Sequence, residues 1–319
     1  MMAVTTASAP GKVILFGEHA VVYGQPAIAA PVTQVAATAE VRDTPPGTPA
    51  GVRLIAPDLA QETWLATSDD QDALAAAVRQ VQAAAGLPQL PNLTITVHSS
   101  IPIASGLGSG AAIAAAVIRA LTRHLGRPDL ATAEQVAALA YEVEKIHHGT
   151  PSGIDNTVVA YEQPVYFERR QPHNLIETFA VARPVHILVA DTGIRSSTKA
   201  VVSDVRRQWT AGPAAFNQLF AGCGHLARSA RRALEAGDLA SLGQLMNENH
   251  RLLQAMTVSS AELDRLVAAA QSAGALGAKL SGAGRGGNMI ALIEPGREAS
   301  LRATLLAAGA RQVLTSVLK

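Results

Sequence analysis

The segment IPIASGLGSGAAIAAAVIRAL, residues 101–121, constrains the fold of this chain more than any other. Three glycines stand at alternate positions, Gly106, Gly108 and Gly110, and an alanine-rich apolar run follows at once. Glycine is costly in ordered structure unless the backbone needs a positive φ or a close approach to another group. The segment therefore predicts a glycine turn followed by a helix, as either a tight connection or an anion site at the helix N-terminus.

The glycine spacing excludes two common nucleotide-binding motifs. No Gly-Lys-Ser/Thr follows at the spacing of a P-loop, and the glycines do not match the dinucleotide fingerprint. An anion is still plausible on physical grounds, because the free N–H groups and the dipole of a first helical turn favour negative charge. Ser105 and Ser109 add two hydroxyl groups at the same place.

Strand and helix patterns follow each other irregularly along the rest of the chain. Apolar runs and alternation predict strands at 12–16, 26–42, 93–99, 185–191, after the glycines of 282–294, and at the C-terminus. Capping boxes predict helix starts at Ser68 and Thr132, and further helices are expected at 212–236, 238–255, 259–273 and 297–309. Because strands and helices do not alternate as βαβ units, the pattern favours an α+β fold. The irregular stretch 168–184 is the candidate boundary between two domains.

Charge, hydropathy and cysteine content limit the partners of the chain. A formal net charge of +1 over 319 residues gives no reason to expect nucleic acid. The longest apolar stretch, within 111–118, is far shorter than the ~20 residues that cross a bilayer. The first ten residues lack the features of a signal peptide, and the single Cys223 fits a reducing compartment and a small buried role. We therefore expect a soluble cytoplasmic protein with small-molecule partners.

Acidic side chains gather in EKIHHGTPSGIDN, residues 144–156. Glu144 and His148 share one face of a helix end, and the PSG turn then delivers Asp155. Zinc is disfavoured because no second histidine or cysteine completes a site. A carboxylate on a helix and another on a turn suit Mg²⁺ binding and proton abstraction. The alternative is a pair of solvated acids.

Two more stretches combine glycine with charged residues. APGKVILFGEHAVVYG, residues 9–24, places Lys12 at a strand start and Glu18 and His19 in a glycine-flanked turn. KLSGAGRGGNM, residues 279–289, is a glycine loop that leads into a strand, so its backbone could approach a ligand closely. Taken singly, the lysine would face solvent and the loop would be an ordinary hairpin.

These four stretches, in this order, resemble the GHMP small-molecule kinases over nearly the whole chain. The resemblance implies an α+β fold with an N-terminal domain similar to ribosomal protein S5 domain 2, expected at 1–175. A C-terminal ferredoxin-like α/β-sandwich domain is expected at 176–319. Gly-Glu-His followed by Ala-Val-Val is similar to the members that phosphorylate mevalonate, which implies transfer of the γ-phosphoryl group of ATP to the 5-hydroxyl of mevalonate.

Two alternatives stay open beside this activity. One is another kinase of the group, although galactokinases usually continue Gly-Glu-His with Thr-Asp-Tyr and phosphomevalonate kinases typically have Tyr at the position of His19. The other is a catalytically inactive relative that binds ligand. Such a protein could lose Lys12, Glu144 or Asp155 without penalty, and all three are present.

The resemblance implies a role for each residue of these motifs. The ATP phosphates would be bound by a phosphate loop made of Ser105, Gly106, Leu107, Gly108, Ser109 and Gly110. Asp155 would contact the reacting hydroxyl and Lys12 the transferring phosphate. Mg²⁺ would be held by Glu144, with Ser109 as a second candidate ligand. The substrate would lie near Glu18, His19, Ser152 and Thr198. A homodimer is an open alternative to a monomer.

Two positions depart from the pattern of the family. Gly110 stands where a second serine is usual, so the metal would rely on fewer protein ligands. Arg285 interrupts a run of glycines in the 279–289 loop, where it could reach a phosphate or face solvent. The carboxylate of mevalonate needs a cationic or donor-rich partner, for which Arg195, Ser196, Thr198 and Lys199 are the candidates.

Overall fold

The computed structural model describes residues 4–45, 47–102, 106–148 and 151–319, without the side chains of residues 147 and 148. The strands are β1 (Val4–Phe16), β2 (Ala27–Asp43), β3 (Val52–Ala56), β4 (Gln61–Trp64), β5 (Leu93–Ser99), β6 (Val165–Glu168), β7 (Leu175–Thr178), β8 (Val185–Asp191), β9 (Gly277–Ser281), β10 (Asn288–Ile293) and β11 (Gln312–Leu318). The helices are α1 (Ala73–Ala84), α2 (Ser109–His124), α3 (Ala133–His148), α4 (Ile154–Tyr161), α5 (Thr198–Ala211), α6 (Pro213–Ala236), α7 (Leu239–Ala255), α8 (Ala261–Ser272) and α9 (Glu298–Ala307).

The described chain divides into two compact units, each built from several segments. Unit 1 comprises Met1–Gly11, Val35–Ile103 and Gly108–Glu162. Unit 2 comprises Lys12–Gln34, Ala104–Leu107 and Gln163–Lys319. The mixture of sheets and helices confirms the α+β class. The domain bounds 1–175 and 176–319 remain a prediction.

Local sequence signals identify most helices but misplace one start. The capping box predicted at Ser68 is wrong, because the Asp72 carboxylate caps α1 by accepting from two N–H groups of its first turn. The Ser68 hydroxyl instead donates to carbonyls of the preceding turn. At Thr132 the hydroxyl accepts from the Gln135 N–H at 3.3 Å, which is the expected half of a capping box.

The sequence patterns miss two helices, α4 and α5, and five strands, β3, β4, β6, β7 and β9. Helix α4 has only eight residues, too few for a clear periodicity, and it begins directly after Gly153. Helix α5 is mostly polar and buries only Val201 and Val205. Strand β7 lies within the stretch 168–184 that was expected to be irregular.

In unit 1, four strands form a sheet in the order β4-β3-β5-β2. Strand β5 pairs parallel with β3 and antiparallel with the second half of β2, where Ala37 lies opposite Ser99. Alternate residues of β5 are buried, as a half-buried strand requires. Helix α2 packs against this strand and against α1, α3 and α4.

Helix α2 is the centre of the packing in unit 1. Its buried positions include nearly every residue from Ala111 to Thr122, so it is covered on all sides. The many alanines allow neighbouring helices to approach closely. The buried Arg119 is paired with Glu162 and donates to the Ala160 carbonyl at 2.6 Å. None of the helices in the described ranges is long and apolar enough to cross a membrane.

Helices α2, α3 and α4 follow one another along the chain and pack together in unit 1. Helices α2 and α3 have 16 residues each, pack against each other and are joined by a short connection. Such a connection makes neighbouring helices antiparallel. Helix α4 begins six positions after the end of α3 and packs on both. The first turn of α2 therefore lies near the last turn of α3, whereas the first turn of α4 reaches the Ala137 carbonyl in the first half of α3.

Unit 2 contains an antiparallel sheet in the order β11-β8-β10-β9. If these strands are numbered 1 to 4 along the chain, their spatial order in the sheet is 4-1-3-2. Helices α5–α8 connect strands 1 and 2, and α9 connects strands 3 and 4. This is the ferredoxin-like βαββαβ arrangement, so the predicted C-terminal fold is confirmed. Strands β6 and β7 pair with each other, and β6 also pairs with the start of β2.

The core of unit 2 lies between its sheet and its helices. It includes buried residues of β8, β10, α6, α7 and α8. The Tyr23 ring stacks on Phe220 of α6 at 4.1 Å between centroids, which anchors the segment that follows β1. Cys223 is fully buried, and burial raises its pKa to about 12, so the prediction of a small buried role is confirmed.

Candidate active site

The phosphate loop, of which residues 106–110 are described, leads directly into α2. Gly106 and Gly108 have φ of 78° and 73°, a conformation that side chains with a Cβ rarely adopt. Gly108 is the N-cap of α2 and offers no side-chain hydrogen bond, so no side chain of the cap competes for the first-turn N–H groups. Ser109 is the first residue of the helix, and Ser105 lies outside the described residues.

Gly110 differs from its neighbours because nothing in its surroundings requires glycine. Its backbone is helical, and a Cβ at this position would meet nothing within 4 Å. A serine would fit here, so the departure from the family pattern does not arise from a lack of space.

In unit 1 the two candidate acidic residues lie on consecutive helices. Glu144 is in the last turns of α3, and Asp155 is in the first turn of α4. The Ser152 hydroxyl accepts from the Ile154 N–H at 3.3 Å, and the Asn156 amide donates to the α3 backbone at 2.9 Å. The second of these contacts holds the start of α4 on α3. Asp155 was expected on a turn, and the helix gives it a more rigid support.

In unit 2 the first motif lies beside the phosphate loop. The N–H of Lys12 donates to the Leu107 carbonyl at 2.9 Å, and Lys12 is buried. A Cβ built on Gly106 would lie 3.8 Å from the Asn288 side-chain nitrogen. Lys12, residues 106–107 of the phosphate loop and the start of β10 are therefore neighbours within this unit.

The first motif also contacts the end of β9 and the glycine loop that follows it, which we define as residues 282–287. The Ile14 N–H donates to the Ser281 hydroxyl at 3.1 Å, and this hydroxyl donates to the Ile14 carbonyl at 2.9 Å. His19 Nε2 donates to the Ala283 carbonyl at 2.8 Å. Gly17 allows the turn after β1 to pass close to the start of β2, because a Cβ there would lie 2.5 Å from the Pro26 carbonyl oxygen. Motifs more than 260 residues apart thus form one cluster.

Glu18 forms an ion pair with Lys279 in the interior of unit 2. Both side chains are buried, and Lys279 also donates to the Leu280 carbonyl at 2.7 Å. Burial raises the pKa of Glu18 and lowers the pKa of Lys279. Among the described residues, Glu18 Oε2 has no hydrogen-bond partner. The ion pair leaves this acceptor in a fixed position.

Lys279 is the residue that the sequence analysis missed. It begins the quoted glycine motif and lies in β9, where all five residues are buried. A lysine in a fully buried strand needs an acidic partner, and that requirement was the available signal. The sequence does not reveal which acid is the partner.

His19 is held in one protonation state by its surroundings. Burial lowers its pKa to about 4, so the ring is neutral near pH 7. Because a carbonyl only accepts, Nε2 carries the proton and Nδ1 is left as an acceptor. His19 is therefore not a cation that could bind a substrate carboxylate.

The neutral His19 makes stability depend on pH. The unfolded chain binds a proton at this histidine below its ordinary pKa of 6.5, whereas the folded protein does so only near pH 4. Stability should therefore fall as pH drops through this window. Relative to His19→Gln, which keeps a donor to Ala283, the wild type should lose about 2 kcal/mol between about pH 7 and pH 5. Urea unfolding at both pH values measures it, and equal losses would contradict the assignment.

Thr198 is the first residue of α5 and is exposed, as are Arg195 and Lys199. The segment before α5 is tied to the glycine loop, because the Ser196 hydroxyl donates to the Gly284 carbonyl at 2.8 Å.

The Arg285 side chain does not simply face solvent, because it is held by another residue of unit 2. Its guanidinium is paired with Asp204 of α5 at 2.5 Å.

The donor atoms of the two candidate metal ligands in unit 1 suit Mg²⁺. Glu144 supplies a carboxylate and Ser109 a hydroxyl, and oxygen ligands are those that Mg²⁺ prefers. No cluster of three or more His, Cys, Asp or Glu side chains that could hold a metal occurs in the described ranges. Mg²⁺ usually takes only one or two carboxylates and keeps several waters.

Comparison with known proteins gives two family matches and many relatives. Residues 72–163 match the GHMP kinases N terminal domain and residues 230–311 the GHMP kinases C terminal domain. A mevalonate kinase of Thermococcus sibiricus is 35% identical, over 98% of this chain and 95% of that protein. One of Aeropyrum pernix is 37% identical, over 91% and 89%.

Solved structures agree with these sequence matches. The crystal structure of L. major mevalonate kinase in complex with R-mevalonate superimposes with a TM-score of 0.82 at 31% identity. The superposition covers 100% of this chain and 97% of that one. The matches extend over both units.

Proposed function

The chain belongs to the GHMP kinases, and on that premise we propose that it transfers the γ-phosphoryl group of ATP to the 5-hydroxyl of mevalonate. The observation that carries the phosphoryl transfer is the hydrogen bond from Lys12 to Leu107, which brings a buried lysine beside the phosphate loop. The mevalonate kinases at 35% and 37% identity support the choice of substrate.

The phosphate loop binds the nucleotide in this proposal. Gly106 and Gly108 let the backbone turn tightly, and the first turn of α2 offers its N–H groups and the positive end of the helix dipole to the phosphates. The described loop residues 106–110 and Ser105 form the ATP-binding set.

Lys12 and Asp155 carry the chemical step. Phosphoryl transfer depends on positioning and charge stabilisation more than on covalent chemistry. Lys12 stabilises negative charge on the transferring group, and Asp155 orients the substrate hydroxyl and accepts its proton. Glu144 and Ser109 would hold Mg²⁺, which offsets phosphate charge when bound.

The substrate is held by the first motif and by the start of α5. Glu18 Oε2 and His19 Nδ1 are both acceptors, so they suit the hydroxyl groups of mevalonate. Because His19 is neutral, the carboxylate needs a cation from elsewhere, and Arg195 and Lys199 flank Thr198. Ser152 completes the proposed substrate set. Cytoplasmic location and a homodimer stay predictions.

ADP release by the purified protein tests this function. Mg-ATP is supplied with mevalonate, phosphomevalonate, galactose or homoserine in parallel reactions. Turnover with mevalonate alone is the expected result. Turnover confined to another substrate would contradict the substrate assignment and keep the kinase roles. Nucleotide binding without turnover on all four would favour an inactive, ligand-binding relative.

A further inference from the structure

Arg285 adopts a backbone conformation that does not favour arginine. Its φ is 54°, between Gly284 with φ of 83° and Gly286 and Gly287 with φ of 135° and 70°. A side chain with a Cβ is unfavourable in this region, whereas glycine adopts it freely. An arginine here needs side-chain contacts that offset the backbone cost, so its contacts point to a role.

The contacts of Arg285 hold the glycine loop from one side. Its N–H donates to the Val258 carbonyl at 2.7 Å, and Nε donates to the Thr257 carbonyl at 3.0 Å. Nη2 donates to Asp204 Oδ2 at 2.5 Å. This hydrogen bond holds the pKa of the Asp204 carboxyl below its usual range. Arg285 thus connects the loop to α5 and to the turn between α7 and α8.

A second set of contacts holds the same loop from the other side. The Gly287 N–H donates to the Ile194 carbonyl at 2.9 Å, and the Thr192 hydroxyl and N–H both donate to the Gly287 carbonyl at 2.9 Å. These bonds come from the segment that leads into α5. The loop is therefore held between two segments of unit 2.

A loop rich in glycine is flexible unless it is restrained, and ordering it on ligand binding costs affinity. Residues 282, 284, 286 and 287 are all glycine, so the side chains of the loop itself supply little restraint. Arg285 is the charged residue of the glycine loop. Its guanidinium binds the Thr257 carbonyl and Asp204 and does not extend into solvent. A loop that is already restrained binds its ligand without losing this conformational entropy.

We infer that Arg285 is a positioning residue, which fixes the glycine loop through Asp204 and Thr257 in the shape that accepts the phosphates of ATP. The inference rests on the proposed function, and it assigns the glycine loop to the nucleotide because Asn288, directly after this loop, lies 3.8 Å from a Cβ built on Gly106 of the phosphate loop. It explains why an arginine occupies a position that glycine fits better. It also links the loop to α5, which begins with Thr198.

Binding of Mg-ATP, measured by calorimetry without mevalonate, tests the inference. Arg285→Gly removes the guanidinium without straining the backbone, and we expect its Kd to rise about tenfold. The matched control is Arg207→Ala, because Arg207 pairs with Oδ1 of the same Asp204 from an exposed position on α5 itself. We expect its Kd to stay within about twofold of the wild type.

The partner residue provides a second, independent variant. Asp204→Asn should also weaken Mg-ATP binding, and the double variant should be no weaker than Arg285→Gly alone, because both changes remove one interaction. Arg285→Lys should recover part of the affinity, since it keeps the charge but not the planar fork. In steady-state assays, KM for ATP should rise more than kcat falls.

The outcomes separate this inference from the proposed function. If the wild type does not bind Mg-ATP, the proposed function fails and this inference with it. If the wild type binds and Arg285→Gly binds equally well, only the inference is overturned. A lower unfolding temperature with an unchanged Kd would likewise overturn it, because that result describes a purely structural contact.

Discussion

Replacing Asp155 by asparagine is expected to lower kcat for mevalonate phosphorylation by at least about 100-fold. Asparagine keeps the shape of the side chain in the first turn of α4 and removes the proton acceptor. The KM for ATP should change little, because the proposed contact is with the substrate hydroxyl. Steady-state kinetics with each substrate varied in turn measure the split.

The fold should tolerate this change, because the start of α4 is held by Asn156 and Ser152 and not by Asp155 alone. The matched control is Asp129→Asn, an exposed carboxylate of unit 1 that pairs with Arg127. It should leave kcat unchanged within about twofold, since exposed ion pairs contribute little. A kcat for Asp155→Asn within threefold of the wild type would remove Asp155 from the mechanism.

Replacing Lys279 by methionine is expected to lower the free energy of unfolding by about 3–5 kcal/mol. The change leaves Glu18 as a buried carboxylate without its ion-pair partner. A buried carboxylate without a cation has lost both its hydration and its ion-pair partner, so its full desolvation penalty destabilises the folded state. Urea unfolding gives the free energy directly.

A double variant separates the charge from the packing. Glu18→Leu combined with Lys279→Met removes both charges and should recover most of the lost stability, because a buried pair replaced by apolar groups is often neutral. Its activity should stay low, since the Glu18 acceptor is gone. The control Lys145→Met breaks an exposed pair with Glu142 and should cost less than about 1 kcal/mol. A similar small loss for Lys279→Met would contradict the assignment.

The position of Asp155 illustrates what short-range patterns can resolve. The sequence shows that Asp155 follows a glycine turn, but it does not show that Asp155 lies in a helix. Eight residues provide two turns, and α4 forms because it packs on α2 and α3. The start of α1 is a similar case, because Ser68 and Asp72 both precede an apolar run and the structure selects Asp72.

The glycine turn before α2, the capping of α3 by Thr132, and the four motifs of the kinase family were determined by the sequence itself. Each depends on chemistry between residues close in the chain, such as a positive φ or a side chain that caps its own helix. The pairing of Glu18 with Lys279 and of Arg285 with Asp204 was decided only by the tertiary structure. These partners are 261 and 81 positions apart, and a charge in the sequence does not specify which opposite charge the fold will bring to it.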